Sequence, residues 1–274
     1  MSDCHSEPDR SRRVVHVWGT AISLDMREPV APALLDDVVA WFHRVDDVFS
    51  TWREDSEISR LARHEVELHE TSIELRTVLD LCRQVKLESG GSFDVAFATD
   101  PRVARRAGFG PIDPSGLVKG WALERAAAIL GAGGVANFSM NAGGDVIIRG
   151  RPGPAQLWRV GIQHPTERQA MTAVIAGTDL GVATSGRYER GDHIIDPRTG
   201  SPATDLVAVT VVARDLAIAD GYATAALALG KDGMNWLADR PDIEALAITI
   251  GGTVVLTDGF DELRSAAGGT VSRG

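Results

Sequence analysis

The sequence predicts an α+β fold, and three observations carry that expectation. Strand and helix patterns are intermixed without the steady βαβ rhythm of a doubly wound parallel sheet. Helical stripes dominate the first half, whereas short β-branched runs dominate the second. No internal repeat or low-complexity linker interrupts the chain, whose 274 residues suffice for one large domain or two small ones. Mixed sheets with packed helices are therefore expected.

Taken in order, residues 1–12 are polar and are expected to form a disordered tail. VVHVWGTAISLDM, Val14–Met26, is rich in β-branched residues and reads as one strand or as two halves bent at Gly19. Leu34, Val38, Trp41, Phe42, Val45 and Phe49 then fall on one helical stripe. STWREDSEISRLARH reads as a loop leading into a short helix, and a further amphipathic helix spans Thr71–Glu88, stopped by Gly90 and Gly91. Phe93–Pro114 is irregular. Next comes a helix over Val118–Leu130, with Ala122, Ala126 and Leu130 facing inward. Strands are expected over Asn137–Arg149, Leu157–Gln163, Ala170–Ala176, Gly181–Ser185, His193–Ile195 and Leu206–Ala213. Helices Leu216–Gly230 and Met234–Asp239 follow, then strands Ala245–Ile250 and Thr253–Leu256, and residues 261–274 are expected to be flexible.

Composition excludes several classes of function. A formal net charge of −10 argues against a nucleic-acid surface, because a phosphate backbone calls for a basic face. No segment approaches the roughly 20 apolar residues of a membrane span. Only two cysteines are present, so a disulfide framework is not expected; Cys82 has the spacing of a core thiol, and no apolar run precedes Cys4 as a lipid-anchor signal requires. A cytoplasmic protein without a membrane anchor is the expectation.

Several short motifs could carry chemistry. In NAGGDVIIRG, Asn141 precedes Gly143, Gly144 and Asp145, and such a backbone can cradle phosphate oxygens; taken alone, the motif reads first as a tight turn or bulge entering Val146–Ile148. SGLVKGWALE brings Lys119 from a glycine-bearing loop into a helix N-terminus, a place that favours anions; a solvated lysine at a helix start is the equal alternative. ADGYATAAL sets Asp220 and Thr224 four residues apart on one helical face. A carboxylate and a hydroxyl are hard oxygen donors suited to Mg²⁺, although Asp220 could instead be a helix cap. GVATSG offers Thr184 and Ser185 just before Gly186, and the chain then returns through His193 to DPRTG, a good turn sequence containing Arg198. Near its ordinary pKa of about 6.5 an imidazole can act as base or acid, but a lone histidine can also be a satisfied structural residue. A zinc-type ligand spacing, a Walker A loop, a G-x-S-x-G elbow and a complete G-x-G-x-x-G are all missing.

The order of these motifs is more specific than any one of them. WGTAISL, STWREDSEISRL, GGSFDV, SGLVKGWALERAAAIL, NAGGDV, WRVGIQHP, VATSGRYER, HIIDPRTGSP and AIADGYATAALALG together resemble the ApbE family, the FAD:protein FMN transferases, over Val14 to Leu256. The resemblance implies one domain over residues 13–260 with an α+β fold related to the tunnelling fold. It implies Mg²⁺-dependent transfer of FMN from FAD to a threonine or serine of a target protein, with release of AMP. An FAD pyrophosphatase giving free FMN, or a non-catalytic FAD-binding protein, stands as the alternative. Asp220 and Thr224 match the family's metal pair, a main-chain carbonyl before Lys119, assigned to Val118, matches a further ligand, and His193 matches the histidine beside the reacting phosphate. Lys119, Asn141, Gly143, Gly144, Asp145, Thr184, Ser185, Gly186 and Arg198 match segments lining the dinucleotide pocket. Trp18 stands where the family usually has methionine, which implies altered ring packing near Gly19.

Overall fold

The computed structural model describes residues 10–96, 112–167, 169–187 and 195–266. The first two strands, β1 (Ser11–Val17) and β2 (Thr20–Met26), form a hairpin whose turn is Trp18-Gly19, with φ of 57° and 71°. A two-residue turn with both φ positive matches the twist of the flanking strands, so the predicted β segment folds back on itself. β1 opens at Ser11, opposite Met26, within the stretch expected to be a tail.

Helix α1 (Pro32–Phe49) buries Val38, Phe42, Val45, Val48 and Phe49, and α2 (Glu57–Ala62) is capped by Ser56, whose hydroxyl accepts from the Ser59 N–H. Helix α3 (Ile73–Glu88) is capped in the same way by Ser72 and buries Leu75, Val78, Cys82 and Val85. Burial pushes the Cys82 thiol up, as befits a core residue. Helix α4 (Ser115–Ala132) begins three residues before the expected Val118, because Pro114 precedes it and Asp113 Oδ1 accepts the Ser115 N–H at 3.0 Å.

The expected single strand Asn137–Arg149 is a second hairpin, β3 (Phe138–Ala142) and β4 (Asp145–Arg149), turning at Gly143 and Gly144 with φ of 60° and 101°. Strands β5 (Trp158–Gln163), β6 (Met171–Gly177), β7 (Leu180–Gly186), β8 (Ile195–Asp196), β9 (Ser201–Pro202) and β10 (Leu206–Ala213) follow. Then come α5 (Leu216–Leu229), α6 (Gly233–Ala238), β11 (Glu244–Thr249), β12 (Val254–Leu256) and α7 (Phe260–Ala266). α7 lies partly inside the expected C-terminal tail, and Phe260, fully buried, anchors it.

The main sheet runs β1-β2-β3-β4-β7-β10-β11-β12, with β5-β6 and β8-β9 as separate pairs. Every pairing among the described strands is antiparallel, so the sheets are not mixed as expected. Antiparallel neighbours need only short connections, and the hairpins at Trp18-Gly19 and Gly143-Gly144 supply them.

Strand alternation splits the core into two layers. Ile147, Ala183, Val209, Val211, Ala245 and Ala247 face the helices, whereas Ile148, Val182, Val212, Leu246 and Ile248 face β5, β6 and α7. Burial on both faces explains why β10 reads LVAVTVVA with so little polar alternation. α5 is apolar all round for the same reason, being enclosed by α4, β7 and β10. Its small residues permit the close approach: a Cβ on Gly120 of α4 would lie 2.4 Å from the Leu216 carbonyl oxygen.

Candidate functional site

Asp220 and Thr224 lie one turn apart on α5, with only 5% and 8% of their surfaces exposed. The cap role belongs to Asp215, whose Oδ1 accepts the N–H groups of Ala217 and Ile218, which leaves Asp220 free for other work. Asp220 Oδ2 accepts the Gly120 N–H of α4 at 3.0 Å. Thr224 Oγ1 meets Ser185 Oγ at 3.0 Å and faces the Gly116 carbonyl at 3.4 Å. A Cβ on Gly116 would stand 3.0 Å from Thr224 Oγ1, so glycine is what lets this carbonyl approach the hydroxyl.

Beside this cluster, Asp145 is 1% exposed at the start of β4. Its Oδ1 accepts the Thr184 N–H at 3.0 Å, and its Oδ2 lies 2.6 Å from Lys119 Nζ as an ion pair lacking good hydrogen-bond angles. Burial, foremost, and then the neighbouring Asp145 charge push the Asp220 carboxyl up to about 7, against the pull of Lys119 and the Gly120 N–H. A buried anion in that position calls for a cation. Carboxylate, hydroxyl and carbonyl oxygens are the donors Mg²⁺ prefers, and it takes few of them from protein. Among the described residues no group of three His, Cys, Asp or Glu side chains converges as a zinc-type site would require. The residues present thus fit a hard divalent cation.

A cleft of about 420 Å³ adjoins the cluster, lined by Trp18, Gly19, Thr20, Asp113, Lys119 and Gly143 among others. The two hairpin tips form part of its wall. Trp18 holds a left-handed conformation that side chains seldom adopt, stabilised by its Nε1–H donating to the Phe42 carbonyl at 3.2 Å and by an edge-on contact with the Phe42 ring. Trp52, half exposed, lines the same cleft.

The residues singled out in the sequence are distributed unevenly around this site. Val118, Lys119 and Gly143 line the cleft, while Asp145, Ser185, Asp220 and Thr224 form the cluster. Lys119 is in the second turn of α4 rather than at its N-terminus, because the helix starts at Ser115. Asn141 closes its own hairpin, accepting the Gly144 N–H at 3.1 Å. Thr184 contributes its backbone, since its hydroxyl pairs with Thr210 at 2.8 Å on the opposite sheet face from Ser185. Gly186 ends β7 opposite Ala208. Arg198 turns toward Asp196, holding that carboxyl below its usual range, and does not line the cleft. The carbonyl facing Thr224 belongs to Gly116, whereas Val118 lies further along the first turn of α4. His193 lies outside the described residues.

Gly116, Gly120 and Asp113 were missed in the sequence. The signal for the first two was present in the S-G-L-V-K-G spacing, which puts two glycines on one helical face toward a neighbour.

Comparison with known proteins converges on one family. The model of the ApbE family matches residues 18–103 and 102–247. A Vibrio cholerae protein named FAD:protein FMN transferase is 28% identical over 271 residues, spanning 81% of this chain and 80% of the relative. A Klebsiella pneumoniae protein of the same name is 36% identical over 131 residues, spanning 44% of this chain and 37% of its own length. Among solved structures, the flavin transferase ApbE from Vibrio cholerae superposes with a TM-score of 0.81 at 24% identity, over 93% of this chain and 99% of that one. The apbe protein of Thermotoga maritima gives a TM-score of 0.81 at 23% identity, over 93% and 99% of the two chains. At such identities the structures establish the α+β fold, and the family match over most of the chain shows that it belongs to the ApbE family.

Proposed function

We infer that this chain is an enzyme transferring FMN from FAD to a threonine or serine hydroxyl of a target protein, with release of AMP. One observation carries the reading: Thr224 Oγ1 meets Ser185 Oγ and faces the Gly116 carbonyl one helical turn from the buried Asp220, and Lys119, the ion-pair partner of the neighbouring Asp145, lines the cleft. The similarity to the Vibrio cholerae FAD:protein FMN transferase over four-fifths of both chains supports the same reaction.

In the proposed reaction the hydroxyl oxygen of the acceptor bonds to the FMN phosphorus of FAD. The bridging P–O bond breaks, AMP leaves with the electron pair, and the hydroxyl proton passes to a base. His193 is proposed as that base; the chain leads from it directly into β8, which packs against α5. Such a base is typically worth about 10²–10⁴ in rate. Asp220, Thr224 and Ser185, with the Gly116 carbonyl, would hold Mg²⁺. Bound there, Mg²⁺ supplies Lewis-acid stabilisation of charge on the pyrophosphate oxygens. Lys119, at the cleft beside Asp145, would attract the phosphates, and the Gly143-Gly144 turn admits them close to backbone. Trp18 would present its indole to a ring of the dinucleotide. The remaining task is positioning, which dominates phosphoryl transfer.

A cytoplasmic location is part of the proposal; no described helix is long and apolar enough to cross a membrane. The test is incubation with FAD, Mg²⁺ and candidate acceptor proteins, with and without EDTA. AMP release together with flavin fluorescence retained on denatured acceptor is the expected result. AMP and free FMN with no labelled protein under any condition would make the chain an FAD pyrophosphatase. Tight FAD binding without AMP would make it a carrier.

A further inference from the structure

We propose that Glu124 is a positioning residue for the metal cluster, setting the axial height of α5 against α4; this rests on reading Asp220 and Thr224 as metal ligands. Glu124 belongs to α4 and never touches the cluster. Its two carboxylate oxygens are divided between two donors: Oε1 accepts the Leu216 N–H at 2.7 Å, and Oε2 accepts from Arg149 Nη2 at 2.7 Å. Leu216 is the first residue of α5, and its N–H is one of those a helix start leaves without an internal acceptor. Arg149 is itself held at the end of β4, donating to the Ile148 carbonyl at 2.9 Å.

The same residue is gripped sterically. A Cβ on Gly120 would lie 2.4 Å from the Leu216 oxygen, and one on Gly181 of β7 would lie 2.7 Å from Leu216 Cα. Leu216 thus sits between a glycine of α4 and a glycine of the sheet, with Glu124 fixing how far along the axis it stops. One turn onward Asp220 meets the Gly120 N–H, and a further turn on Thr224 meets Ser185 and faces Gly116. These hydrogen bonds of Asp220 and Thr224 therefore run to α4 and β7, the elements against which Glu124 and the two glycines set the helix. A helix rises about 1.5 Å per residue, so a slip of even part of a residue would separate oxygens now 3.0–3.4 Å apart. Burial pushes the Glu124 carboxyl up despite the opposing effect of Arg149, so a charged side chain is kept here against a desolvation cost.

The chemistry of the side chain is specific. A carboxylate can accept from both donors at once, whereas glutamine offers one acceptor and one donor group, and must leave either Leu216 or Arg149 facing an N–H. The test is Mn²⁺ affinity of the FAD-free protein, read by electron paramagnetic resonance, in Glu124→Ala and Glu124→Gln. Ile175→Ala, in the core on the opposite face of the sheet, serves as a control for stability loss alone. Outer partners of metal ligands commonly change affinity about 10–100-fold. Glu124→Ala is expected to weaken Mn²⁺ binding at least about tenfold, and Glu124→Gln by an intermediate factor of about three, whereas Ile175→Ala lowers Tm without moving the dissociation constant. Should Glu124→Ala not fold, the glutamine variant decides alone. Parental affinity in the glutamate variants, or an equal loss in Ile175→Ala, overturns the positioning role. Failure of the unaltered protein to bind Mn²⁺ at all would instead overturn the metal reading on which it rests.

Discussion

Asp220→Asn should stabilise the metal-free protein at neutral pH while removing its response to Mg²⁺. The Asp220 carboxyl is 5% exposed and accepts a hydrogen bond from the Gly120 N–H. Burial and the adjacent Asp145 raise its pKa from 3.8 to about 7. Between those two values the native state binds a proton that the unfolded state does not, so stability is greatest below the lower value and falls as pH rises through the higher one. Each tenfold in proton affinity is worth about 1.4 kcal/mol, so the ionised group costs up to about 4 kcal/mol at pH 8. From pH 5 to pH 8 the advantage of Asp220→Asn over the parental protein should grow by about 2–3 kcal/mol. Urea denaturation of EDTA-treated proteins, followed by tryptophan fluorescence at both pH values, measures this directly. Adding Mg²⁺ at about a hundred times its dissociation constant should return about 2.7 kcal/mol to the parental protein and nothing to the variant. Parallel stability–pH curves for the two proteins would refute the buried, ionised carboxyl. Equal stabilisation by Mg²⁺ would refute its role as a ligand.

Three further outcomes follow from the geometry. Thr224→Val keeps the side-chain shape but removes the oxygen that meets Ser185 and faces Gly116; Mg²⁺ affinity should fall about tenfold, seen as AMP release recovering at higher Mg²⁺. Gly120→Ala drives a methyl into the Leu216 carbonyl, where backbone cannot give way, and should cost about 1–3 kcal/mol or more, measured as a lower Tm with AMP release lost. His193→Ala should slow FMN transfer about 10²–10⁴-fold with little change in FAD affinity; transfer at the parental rate would remove it as the base.

The ApbE resemblance rested on local strings, and those strings were legible for a physical reason. Asp220 and Thr224 stand four residues apart in a segment with a helical pattern, and they share a face because the helix, capped by Asp215, already includes Asp220. The Trp18-Gly19 and Gly143-Gly144 turns were likewise marked by glycine, and each was read as a possible turn. Helix α4 was misplaced by three residues because its start is set by Pro114 and by an Asp113 carboxylate, and neither is part of an apolar stripe. The same early start puts Lys119 in the second turn of α4 rather than at its N-terminus.

By itself, then, the sequence determined the family, the helix bearing Asp220 and Thr224 and the spacing of those two residues, because these depend on residues within a turn or two of one another. Tertiary structure alone decided what surrounds them. Ser185, Gly116, Gly120 and Asp145 reach the cluster from β7, α4 and β4, through packing distances that no local pattern encodes. It also decided that Thr184 and its neighbour Ser185 face opposite ways, since which side of a strand meets the helices depends on how the whole sheet is layered.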